Sequence, residues 1–397
     1  MTAHDIAKSM NNHKQIDVAI LDFAKAFDKV PHMRLLHKLE LYGIRDKYKA
    51  WIKNFLTNRT QRVVIEGNIS TPKPVTSGVP QGTVLGPILF LIYVNDITEN
   101  IKCNIRLFAD DCLLYKELTR DSDCKILQDD LSTLCQWSEK WQMCFNVDKC
   151  HIMKIGNKVP SKYNYQMLGK ELKVVNNHPY LGVEIDKNLN WNQHIINITN
   201  KATWKLNFLQ RNMHKCPPKI KERVYNTLVK PGLEYCAAVW DPYTKTNIDK
   251  IEKVQLRAAR FVYNKPYNKK MKGNQVGAAS LVTKLNWTTL EKQRKDLRLI
   301  MLYKIANQKI SVPKSYLPEK TTTTSRNRNQ NSYVMPRTTI DTFKYSMIPK
   351  TILDWNQLPL ETTMSTGTEA FKHLLKTSQA VHSIPDNKPG MEAEVIL

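Results

Sequence analysis

The sequence predicts an α+β fold: an antiparallel sheet with packed helices over residues 1–190, followed by a mainly helical remainder. Up to Asp186, strand-length apolar runs alternate with helical periodicity and close on hairpin turns. Beyond Asp186 helical spacing dominates, basic residues thicken and strand signals fade, which places a boundary near residue 190. At 397 residues the chain also exceeds the roughly 250–300 residues at which single cores stop growing, so more than one lobe is expected.

Gln15 to Phe23, carrying Ile16, Val18, Ile20 and Leu21, reads as a short buried strand that ends at Asp22. From His32 the positions Leu35, Leu36, Leu39, Leu41 and Tyr42 recur at helical spacing until Gly43 stops the helix. A second helical piece carries Trp51, Ile52, Phe55 and Leu56, and both apolar faces are expected in the core. Arg62 to Gly67 reads as a strand, followed by a connector holding Pro72 and Pro74. Ser77-Gly78-Val79-Pro80-Gln81-Gly82 is a tight loop before an apolar helix from Val84 through Ile97, and its glycines permit close backbone approach by a ligand.

Ile105 to Tyr115 is an apolar run broken by the adjacent carboxylates Asp110 and Asp111, a strand, a turn and a second strand. Leu127, Leu131, Leu134, Trp137, Ser138 and Trp141 trace a helical face that leads to the strand Cys150 to Ile155. A later hairpin is expected between Lys173–Val175 and Tyr180–Ile185. In Ile248 to Tyr263, Ile251, Val254, Ala258 and Phe261 share one helical face and Lys250, Lys253, Arg257 and Arg260 another. That second face reads equally as an ordinary solvated surface or as a phosphate-facing stripe. The helical part divides into residues 191–265 and 266–397, the latter with a helix from Trp287 to Ile305, a mobile linker at 319–332, a helical unit at Ile348 to Leu358 and a disordered tail from Ser378.

Lys and Arg total 60 against 36 Asp and Glu, a formal charge of +24 that points to a polyanionic partner, with nucleic acid leading. An anionic membrane surface would call for an amphipathic anchor or a lipidation signal, and the sequence shows neither. Its longest apolar run, Val84 to Val94, contains Gly86 and Pro87 and falls short of the roughly 20 residues that span a bilayer. The start, Met1-Thr2-Ala3-His4-Asp5, lacks the basic-then-apolar pattern of a signal peptide. The 8 cysteines, with no C-x-x-C pair among them, are therefore expected as reduced thiols inside a cell, in nucleus or cytoplasm.

Three acids stand at a strand end or strand turn: Asp22, Asp110 and Asp111. Paired acids at a hairpin tip suit a solvated turn, because Asp accepts turn geometry. They also suit magnesium, which takes one or two carboxylates plus waters and substrate phosphates. If the strands lie side by side the acids converge, and two such charges about 4 Å apart repel by about 4 kcal/mol at an effective dielectric of 20, which a cation would relieve. Two ions so held would serve an in-line phosphoryl transfer, the chemistry of nucleotide polymerisation. Phe27, just beyond Asp22, reads as a core ring or as an aromatic face under an incoming sugar.

Five blocks occur in one order: Leu21-Asp22-Phe23-Ala24-Lys25-Ala26-Phe27-Asp28, Ser77 to Gly82 with Leu85-Gly86-Pro87, Phe108-Ala109-Asp110-Asp111, Asn146-Val147-Asp148-Lys149, and Tyr180-Leu181-Gly182. Together they resemble the right-hand palm of a reverse transcriptase, specifically of the jockey-like non-LTR retrotransposons. The second half, with Trp204, Ala258-Ala259-Arg260 and Asp354-Trp355-Asn356-Gln357-Leu358-Pro359, resembles those elements' thumb and C-terminal region.

The resemblance implies two magnesium ions, with manganese as the alternative, bound by Asp22, Asp110 and Asp111 and by the backbone carbonyl of Phe23. It implies that Phe27 is a steric gate selecting deoxynucleotides, that Gln81 and Gly82 line the nucleotide site, and that Lys149 protonates departing pyrophosphate. Tyr180, Leu181 and Gly182 would form the primer grip. RNA template, DNA primer and deoxynucleoside triphosphates are the implied partners, and Ala109 favours DNA synthesis over RNA copying.

Only about twenty residues precede Asp22, so the family's N-terminal fingers and endonuclease are expected to be absent, residues 1–190 to be a palm with partial fingers, and the chain to be a truncated element. An alternative class is a catalytically inactive remnant that binds RNA or DNA through its basic surface.

Overall fold

The computed structural model describes residues 2–156, 162–265, 274–321 and 331–377. At its centre is a five-stranded sheet of β1 (Gln15–Asp22), β2 (Asn104–Phe108), β3 (Asp111–Leu118), β4 (His151–Ile155) and β5 (Lys173–Val174), in the order β5-β4-β1-β3-β2. All neighbours pair antiparallel except β5, which runs parallel to β4 with Lys173 opposite His151.

Strand β1 is buried along its length because the sheet is covered on both faces. Its side chains alternate accordingly. Ala19 and Leu21 enter one cluster, with Leu35, Leu36 and Leu39 of α2 (His32–Leu41), Leu56 of α3 (Asp46–Leu56), Phe90 of α4 (Leu85–Val94) and Leu127, Leu131 and Leu134 of α5 (Ser122–Trp141). Ile16, Val18 and Ile20 enter the opposite cluster, with Ile6, Ala7 and Met10 of the amphipathic N-terminal helix α1 (Thr2–Asn11) and with Phe343 from far along the chain. Asp5 on that helix accepts hydrogen bonds from the hydroxyls of Tyr115 (2.6 Å) and Tyr316 (2.8 Å), and Asn11 Oδ1 accepts from the Thr339 amide (2.7 Å).

Helices α6 (Asn192–Asn212), α7 (Lys245–Val262) and α8 (Leu290–Ala306) follow, with a third apolar cluster around Leu206, Tyr225, Trp240 and Ile251. A fourth joins Leu299 and Leu302 of α8 to Ile352 and Trp355 of α9 (Met347–Trp355). Buried Asp241 links these helices, accepting from Arg294 Nε (2.8 Å), Arg298 Nε (2.9 Å) and Lys350 Nζ (2.7 Å).

Several expectations are corrected. Lys173–Val174 does not form a hairpin with the strand at Val183; it adds to the sheet edge, and the hairpin is Asn177–Tyr180 with Val183–Asp186. Arg62 to Gly67 is not one strand: within it only Val64–Ile65 is extended, paired with Asn68–Ile69 in a small ribbon next to a second one, Arg59–Gln61 with Lys73–Val75, and Val63, Val64 and Ile65 have no packed layer to enter. Leu41 and Trp51 lie on the predicted helices but are 67% and 60% exposed, since nothing covers that side. Most of the expected linker and the whole tail from Ser378 lie outside the described residues. No helix among the described residues is long and apolar enough to cross a membrane.

Candidate active site at the end of the central strand

Register brings the acids together. Asp22, the last residue of β1, stands directly opposite Asp111, the first of β3, which is also paired with Phe108 across the β2–β3 turn. Ala109 and Asp110 form that turn, and Ala109 holds a left-handed backbone (φ 51°) that costs roughly 1–2 kcal/mol in a residue other than glycine. Burial raises the Asp111 carboxyl above its ordinary value, and the charges of Asp110 and Asp22 add to the shift.

The chain after α5 is stapled to the end of β1. Asn146 donates its amide to the Asp22 carbonyl (2.8 Å), Ala24 donates to the Cys144 carbonyl (2.8 Å), and Phe23 stacks on Phe145 with ring centroids 4.4 Å apart. These two bonds flank Phe23 and leave its carbonyl out of the ladder. A short 3-10 turn, Val147–Lys149, then delivers the exposed Lys149, whose Nζ lies 3.5 Å from Asp22 Oδ2.

Phe27 sits on the single helical turn Ala26–Lys29, half-buried and stacked on Phe90 at 4.4 Å. The glycine loop is fastened to the same turn, since Val79 donates to the Phe27 carbonyl (2.8 Å) and Gly78 to that of Val30 (2.8 Å). A Cβ on Gly78 would fall 2.7 Å from the Asp28 carbonyl oxygen, so only glycine permits this approach. Gln81 donates from Nε2 to Asp28 Oδ1 (2.9 Å), and the exposed Gly82 adopts φ 77° with open space around it.

Tyr180 closes the outer hairpin, and Leu181 and Gly182 form its tip with φ 48° and 77°. Burial, aided by the Asp111 charge, pushes the Tyr180 hydroxyl up to about 12. The basic stripe belongs elsewhere, on α7, which packs against α6 and not against the sheet. Lys253 is exposed and Lys250 half-buried, whereas Arg257 donates to Asn207 and to Gln210 Oε1 (3.3 Å) on α6.

Neighbours that sequence reasoning missed are Asp28, which orients Gln81, and the ring pair His151–His178, 5.1 Å apart. Burial and then His151 lower the His178 imidazole below its ordinary value, while Asp22 opposes the shift. Asp28 was visible as an acid beside Phe27, but no periodicity marks the two histidines.

The acids suit a divalent cation: their mutual repulsion at Asp111 is what a cation relieves. Among the described residues no three His, Cys, Asp or Glu side chains make a ready-formed metal cage. Magnesium does not require one, because it retains waters and draws further oxygens from substrate phosphates.

Residues 1–185 match the family model described as reverse transcriptase (RNA-dependent DNA polymerase). The RNA-directed DNA polymerase from mobile element jockey of Drosophila melanogaster is 29% identical over 272 residues, 66% of this chain and 30% of that protein. The probable RNA-directed DNA polymerase from transposon BS of the same species is 27% identical over 309 residues, 74% of this chain and 33% of that protein. The chain thus spans about a third of the length of these curated relatives. Among solved structures, apo telomerase from Candida Tropicalis overlaps at a TM-score of 0.38 and 13% identity, covering 78% of this chain and 52% of that one.

Proposed function

We propose that this chain, a reverse transcriptase through residues 1–185 of the kind carried by jockey-like non-LTR retrotransposons, extends a DNA primer on an RNA template from deoxynucleoside triphosphates. The observation that carries the reading is the cross-strand pairing of Asp22 with Asp111, Asp110 lying in the adjoining turn.

Magnesium, with manganese as the alternative, would supply the positive charge that lets a primer hydroxyl attack the α-phosphate and pyrophosphate depart. Asp22, Asp110 and Asp111 would hold two such ions, and the Phe23 carbonyl would offer a further oxygen. Lys149, already beside Asp22, donates a proton to the departing pyrophosphate. The Phe27 ring, braced by Phe90, fills the space that a ribose 2′-hydroxyl would need. Gln81 and Gly82 line the nucleotide, Gln81 being aimed by Asp28. The turn at Tyr180, Leu181 and Gly182 bears on the primer end.

The test is extension of oligo(dT) on poly(rA) by the full 397-residue chain with magnesium and dTTP. Extension by the wild type, lost on adding EDTA and in Asp110→Asn, is the expected result. Equal extension by the two proteins, or none by either, overturns it. A second reading, a nucleic-acid-binding remnant, is favoured by the +24 charge and the exposed Lys253. It expects salt-dependent hybrid binding unchanged by Asp110→Asn, without extension.

A further inference from the structure

The hairpin that carries Tyr180, Leu181 and Gly182 stands apart from the main sheet as an isolated two-stranded ribbon. Such a ribbon is at best marginally stable in water. Its turn has two central residues with positive φ, Leu181 (48°) and Gly182 (77°), where hairpins favour Asn-Gly. A leucine in the first position is strained. Something outside the ribbon must hold this shape.

The support comes from the segment before α7. Tyr235 donates its hydroxyl to the Leu181 carbonyl (3.1 Å), the strained peptide itself. Its ring also covers Gly182 so closely that a Cβ there would lie 3.2 Å from Tyr235 Cε1. Tyr235 is held in turn by Trp240, which is fully buried and donates from Nε1 to the Tyr235 carbonyl (2.8 Å). The Trp240 ring rests on His194 at 5.0 Å, and His194 Nδ1 accepts the amide of Glu184 (3.2 Å).

That last bond is available for a geometric reason. Tyr180 and Val183 flank a two-residue turn and form the hydrogen-bonded pair, so the next pair, Pro179 and Glu184, is the non-hydrogen-bonded one. The Glu184 amide therefore points away from its partner strand, and Pro179, which has no amide hydrogen, sits where none is needed. Tyr235, Trp240 and His194 thus close a circuit that fixes the hairpin at its tip and on its return strand. Tyr180, which flanks the turn, packs against the cluster that holds Ile20 and Leu113, two residues from Asp22 and from Asp111.

We propose that Tyr235 is a positioning residue for the primer end: by fixing the Leu181–Gly182 turn it sets where a primer 3′ terminus lies relative to the acid pair. The inference rests on the polymerase reading for the identity of the primer, and it adds a residue 54 positions beyond the turn it controls. Gly182 must stay small so that the tyrosine ring can close over it.

The experiment compares the wild-type full chain with Tyr235→Phe, which keeps the ring over Gly182 and removes only the hydroxyl. Loss of one hydrogen bond predicts about a fivefold rise in KM for primer–template, with kcat and KM for dTTP changed by less than about twofold. A general folding defect would instead lower kcat and the melting temperature together. Either that pattern or unchanged kinetics overturns the inference. Anisotropy with a labelled RNA/DNA hybrid bearing a recessed primer end, against a blunt one, supplies a readout independent of chemistry. Preference for the recessed end in the wild type, weakened in Tyr235→Phe, supports the role even if neither protein extends, in which case only the polymerase reading fails. Absence of that preference in the wild type, or its persistence in Tyr235→Phe, overturns the role while leaving any extension activity standing.

Discussion

Asp22 and Asp111 face each other across β1 and β3 as register partners, so the geometry of the acid pair is fixed by backbone hydrogen bonding before any ligand arrives. The sheet forces together charges that would otherwise separate.

Asp111→Asn is therefore expected to act in opposite directions on stability and on activity. Removing its charge relieves repulsion with Asp110 and Asp22, and the metal-free protein should melt higher by about 2 °C, the scale of one modest charge interaction in a chain of this size. Extension should fall to background. Scanning fluorimetry in EDTA and in magnesium checks this, the variant losing most of the magnesium-dependent rise in melting temperature.

Phe27→Val should admit ribonucleotides. The shorter side chain leaves room above Phe90 for a 2′-hydroxyl, and relative use of UTP over dTTP should rise by about tenfold or more. Loss of the ring pair should lower stability by about 1 kcal/mol. Steady-state extension with each nucleotide measures the first effect and urea unfolding the second.

Asp241→Asn should be among the most destabilising single changes. It leaves the fully buried Arg294 without its carboxylate and takes one of two from Arg298, which keeps Asp354, at a loss of about 3–5 kcal/mol. Burial alone would push Asp241 up, but Lys350, Arg298 and Arg294 outweigh it and hold the carboxyl below its ordinary value. Burial pulls the Lys350 ammonium down although Asp241 opposes it. A depressed acid contributes stability that is complete above the unfolded carboxylate range and lost as pH falls through the depressed folded value. Urea unfolding across acid pH should show this limb in the wild type and not in Asp241→Asn.

Lys253→Ala and Arg257→Ala should separate binding from folding on one helix. Exposed Lys253 is free to meet a phosphate, and its loss should reduce the salt dependence of hybrid binding by about one ion. Arg257 is bonded to Asn207 and Gln210, so its loss should lower stability by about 1–3 kcal/mol. Binding titrations at several salt concentrations and thermal melts distinguish the two.

The strand end and the hairpin turn that carry the acids were legible because their signals are local. Ile16, Val18 and Ile20 alternate with Ala19 and Leu21 in a strand buried on both faces, and a carboxylate ends it. The Asp110–Asp111 turn interrupts an otherwise apolar run. What escaped depended on distant partners. Two residues at Lys173–Val174 do not specify which edge they join, and the exposure of Leu41 and Trp51 depends on what covers a face that periodicity alone identifies. The N-terminal helix, with Ile6, Ala7 and Met10 on one side, escaped because its apolar face becomes meaningful only once it meets the back of the sheet. Tyr235 carried no sign of its bond to Leu181, since nothing near it in sequence refers to that turn.

The closure of that back face by Phe343, with Thr339 bonded to Asn11, imposes an order on synthesis. A chain still attached to the ribosome can pair β1 with β3 and lay the N-terminal helix on the back of the sheet long before Phe343 emerges, so that face stays only partly covered through more than half of translation. The part of that face that Phe343 will cover is then open to chaperones or to another nascent chain, and slow elongation between β5 and Phe343 prolongs that exposure.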